Sequence, residues 1–339
     1  MNIYNKAKDC TQKIAITALI GKPNAGKSTL LNCIVGKKVS IVTHKAQTTR
    51  SNIRGIHNVN GSQLIFVDTP GLFIPRQGHK LEQFIVHNVW RGIRGADLAA
   101  IVLSLGEILV ALRKNQIEAL IADYKNKVDQ IIHEGRKNIE NLLVIINKCD
   151  LLTKTHEPYM TTTTDTPPSE VQLDERSCQK NVELILQGIG GIKQCFFISA
   201  LQNNGVDEIL TFLANNTRKG RWLFDEGVHT DITEKQMAEE VTREQLYLQL
   251  QEELPYATKV ETETWQSSED GSGIKIHQAI YVLKPSQKNI VIGAGGERIK
   301  KIGQAARKEL SRILGIPVHL FLYVKIRENW IEKLKIHKD

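Results

Sequence analysis

Residues 21–28 read Gly-Lys-Pro-Asn-Ala-Gly-Lys-Ser, residue types spaced to hold a polyphosphate. They match G-x-x-x-x-G-K-[ST] at every fixed position. Gly21 and Gly26 let the backbone curl so that successive N–H groups face one point. The helix entered at Thr29 adds its N-terminal dipole there. The Lys27 ammonium can reach β- and γ-phosphates, and the Ser28 hydroxyl can hold Mg²⁺. The candidate phosphate site is therefore Gly21, Lys22, Pro23, Asn24, Ala25, Gly26, Lys27, Ser28 and Thr29.

A second motif selects the base. Asn147-Lys148-Cys149-Asp150 follows the apolar run Leu142–Ile146. A carboxylate there accepts two hydrogen bonds from guanine, at N1–H and the 2-amino group. Adenine offers no such donor pair and leaves Asp150 buried and unpaired. Hydrogen bonds to charged groups contribute ~1.5–3 kcal/mol each, so two discriminate by roughly a hundredfold or more. Asn147 and Lys148 are placed to tie this loop to the phosphate loop. Ser199-Ala200-Leu201, after Phe196–Ile198, points a backbone N–H toward the guanine oxygen.

Between the two motifs lies Asp68-Thr69-Pro70-Gly71, after Leu64–Val67. Asp68 can hold Mg²⁺ through water, and the Gly71 N–H can sense a γ-phosphate. Upstream, Gln47-Thr48-Thr49-Arg50 offers a hydroxyl to the metal, from Thr49 first and Thr48 second. The candidate metal set is Ser28, Thr49 and Asp68 (through water), and the candidate catalytic set is Lys27, Thr49, Asp68 and Gly71.

These motifs need strand ends to hold them. The runs 14–20, 64–67, 142–146 and 196–198 are apolar and each stops at a motif, which predicts an α/β body with a mostly parallel sheet flanked by helices. Residues 106–140 read as one long Lys- and Glu-rich helical segment. Residues 154–180, with Thr161–Thr164 and Pro167-Pro168, read as a polar surface insertion with too little apolar content to pack.

The last third has a different grammar. Gly293-Ala294-Gly295-Gly296 is a G-x-x-G loop between an apolar run and a basic amphipathic helix, the arrangement that clamps the backbone of a few nucleotides. Alternating strands flank it at 274–282 and 318–326, and Thr233 with Gln236 predicts a capping box for a helix running to about Leu254. The formal charge of +8 is concentrated here. Residues 1–270 hold 31 Lys and Arg against 32 Asp and Glu, and residues 271–339 hold 14 against 5. Such a surplus suits a phosphate-neutralising surface. Arg298, Lys300 and Lys301 follow the loop at once, joining Gly293, Ala294, Gly295 and Gly296 as candidate RNA contacts.

The ordered motifs of residues 14–72 and 142–201 resemble a translation-factor-type small GTPase. Gly-Lys-Pro-Asn-Ala-Gly-Lys-Ser-Thr-Leu-Leu-Asn, Lys-Ala-Gln-Thr-Thr-Arg and Asp-Thr-Pro-Gly-Leu closely resemble the bacterial ribosome-assembly GTPases of the Era family, the TrmE-Era-EngA type. The helix, two strands, two helices and strand of the last third are similar to that family's type II KH domain, as is the stretch Arg243–Tyr256. The resemblance implies a P-loop GTPase domain over 1–217 and an α+β KH domain over 218–339. It implies GTP and GDP with Mg²⁺, slow hydrolysis because Leu72 stands where many small GTPases place a water-positioning Gln, and binding to 16S ribosomal RNA near its 3′ end in 30S subunit maturation. Asn24 resembles the position that binds K⁺ in some related GTPases. One of the two residues inside the family's G-x-x-G is usually a Lys, and Ala294-Gly295 lacks that charge.

Two other readings stay open: an RNA-binding scaffold with a structural, slowly turning nucleotide site, and a related GTPase with another RNA partner. Five scattered cysteines (10, 33, 149, 178 and 195) show no metal-ligand spacing and suggest reduced thiols in a cytoplasm. Cys149 fills the variable position of its motif and reads as structural. The first twelve residues are polar, and no run approaches the ~20 apolar residues of a membrane span. The expectation is a cytoplasmic monomer, with room for peripheral contact at the inner membrane.

Overall fold

The computed structural model describes residues 12–45, 47–134, 141–153, 182–188, 191–332 and 334. The insertion expected at 154–180 lies outside them. The chain forms two sheets. The first has seven strands: β1 (Lys13–Ile20), β2 (Ile53–Val59), β3 (Ser62–Asp68), β4 (Leu98–Ser104), β5 (Asn141–Asn147), β6 (Ile192–Phe197) and β7 (Arg218–Lys219). Their order is β2-β3-β1-β4-β5-β6, with β7 also on β1. β3, β1, β4, β5 and β6 run parallel, and β2 and β7 pair antiparallel. The parallel strands read as continuous apolar runs because both faces are covered. On β1, Ala15 and Leu19 enter one core while Ala18 and Ile20 enter the other.

Helices α1 (Lys27–Val35), α2 (Lys80–Arg94), α3 (Leu105–Arg113), α4 (Ile117–Glu134), α5 (Asp150–Thr153), α6 (182–188) and α7 (Val206–Asn215) surround this sheet. The long helical segment expected over 106–140 is divided into two helices, α3 and α4. Asn115 sits at φ 52 between α3 and α4, and Gln116 N–H reaches back to Ala111 O. Asn tolerates the left-handed region better than most residues. The turn lets Leu109 and Ala111 on α3, and Leu120 and Tyr124 on α4, enter the same core. Residues 135–140 of that expected helix are outside the described set.

The second sheet, β8 (Lys259–Ser267), β9 (Ile274–Val282) and β10 (Val318–Ile326), has the order β10-β9-β8, with β9 and β10 parallel. Helices α8 (Glu234–Gln249), α9 (Pro285–Ile292) and α10 (Glu297–Leu314) cover one face. Thr233 and Gln236 form the expected capping box on α8. That helix stops at Gln249 rather than near Leu254: Leu250 turns extended, and Leu254 enters the core of this unit from the turn that follows.

The apolar pattern breaks at Asn215–Gly220, where the sequence puts the change of domain, but the backbone stays on the first sheet until Asp231. Lys219 pairs with Lys13, the Gln63 side chain accepts from the N–H groups of Leu223 and Phe224, and His229 O accepts from Ile56 N–H. Phe224 and Val228 cover Ile14, Ile56 and Ile65. The two units also share apolar contacts: Met237, Ala238 and Val241 of α8 belong to the same cluster as Val39 and Ile53.

Candidate nucleotide and RNA sites

The phosphate loop hangs between the end of β1 and α1. A Cβ on Gly21 would stand 2.4 Å from Val102 O, and one on Gly26, at φ 94, would stand 2.3 Å from the Asn147 amide. Only glycine fits both. The Lys27 ammonium donates to the carbonyls of Gly21 and Lys22, 3.0 Å each. Burial lowers its pKa to about 8 against the opposing pull of Asp68.

The candidate metal ligands converge. Ser28 Oγ donates to Asp68 Oδ2 at 2.6 Å and lies 3.2 Å from Thr49 Oγ1. Thr48 turns away, onto Thr43 Oγ1 and Lys45 O. Ser40, which no sequence motif marked, donates to the same Asp68 oxygen at 2.8 Å. The other oxygen, Asp68 Oδ1, is buried without a hydrogen-bond partner. Burial raises the carboxyl's pKa, opposed by Lys27 and the three hydroxyls. An idle buried carboxylate oxygen beside two hydroxyls is the hard oxygen set that suits Mg²⁺. Among the described residues there is no His, Cys, Asp and Glu cluster that would compete for a softer metal.

The Asp68–Gly71 turn closes over this loop. Thr69 Oγ1 donates to Leu19 O at 2.7 Å, Leu72 N–H donates to Gly21 O at 3.1 Å, and a Cβ on Gly71 would stand 2.7 Å from Pro23. Buried Leu72 has no polar atom to orient a water. Asn24, at φ 64, donates from its amide to His44 O at 3.0 Å.

The base-side residues also meet the phosphate loop. Asn147 Nδ2 donates to Ala25 O at 3.2 Å, and Lys148 Nζ donates to Asn24 O at 2.6 Å. Ser199 Oγ donates to Asp150 Oδ1 at 2.7 Å, aiming that carboxylate. Within the Ser199–Leu201 turn, the Ala200 N–H donates to Asn147 Oδ1 at 3.0 Å. Leu201 stands exposed at the rim. A cavity of about 470 Å³, lined by Lys27, Ser28, Gln47, Thr49, Gly71 and Lys148, covers the phosphate end. Cys149 is half-buried with its thiol on Ile146 O, as befits a structural residue.

In the second unit the G-x-x-G loop joins α9 to α10. Gly293, Gly295 and Gly296 have φ of 74, 57 and 79, and a Cβ on Gly293 would stand 2.7 Å from Arg298 Cβ. Arg298 donates to Ile290 O at 2.5 Å and so braces the loop. Lys300 and Lys301 are exposed on the first turns of α10, and Ala294 is exposed at the loop tip.

Comparison with known proteins gives these sites a family. Residues 16–148 match the family described as 50S ribosome-binding GTPase, and residues 253–331 match the KH domain. GTPase Era of Brucella suis is 42% identical over 314 residues, covering 92% of this chain and 88% of that protein. The chain belongs to the Era GTPase family. Era of Maricaulis maris is 37% identical over 98% of this chain and 97% of its own length. Among solved structures, Era in complex with MgGDPNP and nucleotides 1506–1542 of 16S ribosomal RNA superposes with a TM-score of 0.77 at 29% identity, covering 95% of this chain and 96% of that one. A variant of Aquifex aeolicus Era bound to GDP·AlF₄⁻ gives 0.78 at 29% identity over the same shares. As a member of the Era family, the chain is a GTPase.

This Era-family chain also carries contacts that no motif announced. The segment between α1 and β2, which delivers Thr49, is clasped by α8. Lys38 bridges Glu244 of α8 and Glu309 of α10 at 2.6 and 2.9 Å. Glu244 accepts from Val42 N–H at 3.0 Å, and buried Arg243 donates to Thr48 O. The Arg50 guanidinium donates to Tyr247 Oη, Pro255 O, Tyr256 O and Thr258 O, at 2.8–3.0 Å. The Arg243–Tyr256 stretch was legible as family-like, but nothing in its local pattern said that it would grip residues 38–50.

Proposed function

We propose that this GTPase binds small-subunit ribosomal RNA near the 16S 3′ end through its KH domain and acts in 30S subunit maturation, with its nucleotide state setting RNA affinity. The observation that carries this reading is the double grip on residues 38–50. Thr49 belongs to the Ser28–Asp68 cluster, while Thr48 and Lys38 are held by α8 and α10 and Arg50 by α8 and the turn at 255–258. The Era relative with bound 16S nucleotides supports the choice of RNA.

In this reading Lys27 leaves the Gly21 and Lys22 carbonyls for the β- and γ-phosphates, and the Gly71 N–H reports the γ-phosphate. Gly21–Thr29 wraps the phosphates, and Ser28, Thr49 and Asp68 (through water) hold Mg²⁺, which when bound neutralises charge between the phosphates. Asp150, aimed by Ser199, reads guanine, with Asn147 and Lys148 locking its loop to the phosphate loop and Leu201 capping the base. Thr69 and Pro70 hold the Asp68–Gly71 turn on the loop. Asn24 and the His44 carbonyl provide amide and carbonyl oxygens suited to K⁺. The protein acts as a monomer in the cytoplasm. Among the described residues no helix is long and apolar enough to cross a membrane, and contact with the inner membrane would be peripheral, through the basic C-terminal region.

The test is GTP turnover with and without a 16S 3′-end oligonucleotide, in K⁺ and in Na⁺ buffers, with RNA affinity measured in GTP-analogue and GDP states. Turnover stimulated by RNA and affinity that depends on nucleotide support the reading. Turnover and affinity that ignore each other favour the scaffold with a structural nucleotide site. Equal rates in the two buffers remove K⁺ without touching the rest.

A further inference from the structure

The second sheet has two faces, and only one is taken by helices. Val260, Ile280 and Val324 face α9 and α10. Residues paired alternately with these face the other way: Thr264, His277 and Phe321 in one row, Gln266, Lys275 and His319 in the next, and Tyr323 beyond. Part of this outer face is roofed. Trp330 lies on Ala279 and Tyr281 with Leu81 of α2 beside it, and Arg327 stacks on Tyr281 at 3.5 Å. The rest is open among the described residues.

The open part has a definite chemistry. His277 is near-parallel to Phe321 (centroids 4.8 Å apart, 28°) and to Tyr323 (5.8 Å, 22°). Lys275 stands 5.5 Å from the Phe321 ring. Phe321 and Tyr323 are 43% and 45% exposed. The carboxylates nearest along the face, Glu261 and Glu263, are neutralised by Arg327 with Lys259 and by Lys325. Three clustered rings, rimmed by Lys275, which has no ion pair among the described residues, and by a second histidine, form a surface on which bases stack and phosphates are attracted. Adjacent-strand aromatics on an open sheet hold single-stranded RNA in this way elsewhere.

We infer that the outer face of β9 and β10, with Phe321, Tyr323 and His277 as stacking surfaces and Lys275 as phosphate contact, is a second site for single-stranded RNA, on the side of the KH sheet opposite Gly293–Gly296. The inference rests on the chain being an RNA binder and not on the G-x-x-G loop. One RNA long enough to leave the groove is then held on both sides of the sheet.

The experiment uses the full chain and two single-stranded RNA probes: one of about four to six nucleotides, which the G-x-x-G groove alone accommodates, and the long 16S 3′-end oligonucleotide. Phe321→Ala/Tyr323→Ala should weaken the long probe about five- to a hundredfold per stacked base lost. It should leave the short probe and GTP binding unchanged. Because the rings are uncharged, the slope of log affinity against log salt should stay put. Lys275→Gln should flatten that slope by about 0.7 for a single strand. Phe321→Tyr/Tyr323→Phe keeps both rings and should bind like wild type, separating stacking from damage to the fold. Ultraviolet cross-linking of the long probe should label the 319–325 peptide. Unchanged long-probe affinity in the double alanine variant, with no cross-link on β10, overturns the proposal and leaves the face to a protein partner. Gly293→Asp against the short probe reports on the groove independently, so loss of that reading and loss of this one give different results.

Discussion

Asp150 is positioned by Ser199 Oγ on one of its oxygens, so its role in choosing the base can be tested with the geometry kept. Asp150→Asn should lose the acceptor for guanine N1–H and the 2-amino group, and move preference from GTP to xanthosine triphosphate, whose donors and acceptors complement an amide. Comparing the two affinities in both proteins checks it, and an unaltered preference for GTP would remove Asp150 from base selection. Lys27 gives a pH signature. Its pKa is lowered to about 8 by burial, and a bound polyphosphate must raise it. Affinity from this group is therefore complete below the free value and lost as pH climbs from there toward the bound value. Once the terminal phosphate of GDP is fully ionised, GDP affinity should fall as pH rises above about 8, by up to about tenfold per pH unit, with proton uptake on binding. Calorimetric titration at about pH 9 in buffers of different ionisation enthalpy measures that uptake, and a null result there contradicts it. These residues were legible in the sequence because each motif lies at the end of an apolar run, and strand ends are where an α/β sheet presents its loops. Ser40 was not, since a lone serine before a strand carries no periodic or spacing signal. The residues favour Thr49 over Thr48 as the metal's hydroxyl, and in the structure Thr48 turns onto Lys45 O while Thr49 Oγ1 lies 3.2 Å from Ser28 Oγ.

At the scale of elements, α8 is the piece whose job its own sequence conceals. Its capping box announces a helix, and two of its charged residues, Arg243 and Glu244, are buried against residues 38–50. Contacts of this kind depend on how two units dock, so no window of consecutive residues contains them. The break at Asn115 escaped for a related reason: the helical pattern continues across it, and only the need to bring Leu109 and Tyr124 into one core requires a turn. Arg50→Gln should remove most of the donors that hold Tyr247, Pro255, Tyr256 and Thr258. The cost is on the order of 3 kcal/mol, because the backbone carbonyls lose charged partners. The phosphate loop is untouched by this change, so GDP affinity should hold while the melting temperature falls. Thermal denaturation alongside a GDP titration checks the pair, and a variant as stable as wild type would show that the clasp contributes little.

Taken whole, the protein's two bodies are joined by more than a tether. One apolar cluster runs from Leu30 and Val39 of the GTPase unit into Met237, Val241, Ile276 and Leu310 of the KH unit. Calorimetry should accordingly show a single cooperative transition, moved upward as a whole by GDP with Mg²⁺. Two separate peaks, of which GDP shifts one, would mean that the shared cluster does not couple them.

The stretch from β7 to Asp231 is also made after every other part of the sheet it completes. During synthesis the GTPase unit cannot finish its sheet when α7 leaves the ribosome, because Ile56 and Ile65 still await Phe224 and Val228, and Lys13 and Ile14 at the start of β1 still await Lys219 and Arg218. A chain ending at residue 217 therefore leaves the start of β1 unpaired on one side beside bare isoleucines, a combination that invites association with other chains. A chain halted past residue 232 carries its own cover. Ribosome-release fragments ending at 217 and at 232 should differ in solubility in that order, and equal solubility would mean that this late-arriving strip is dispensable.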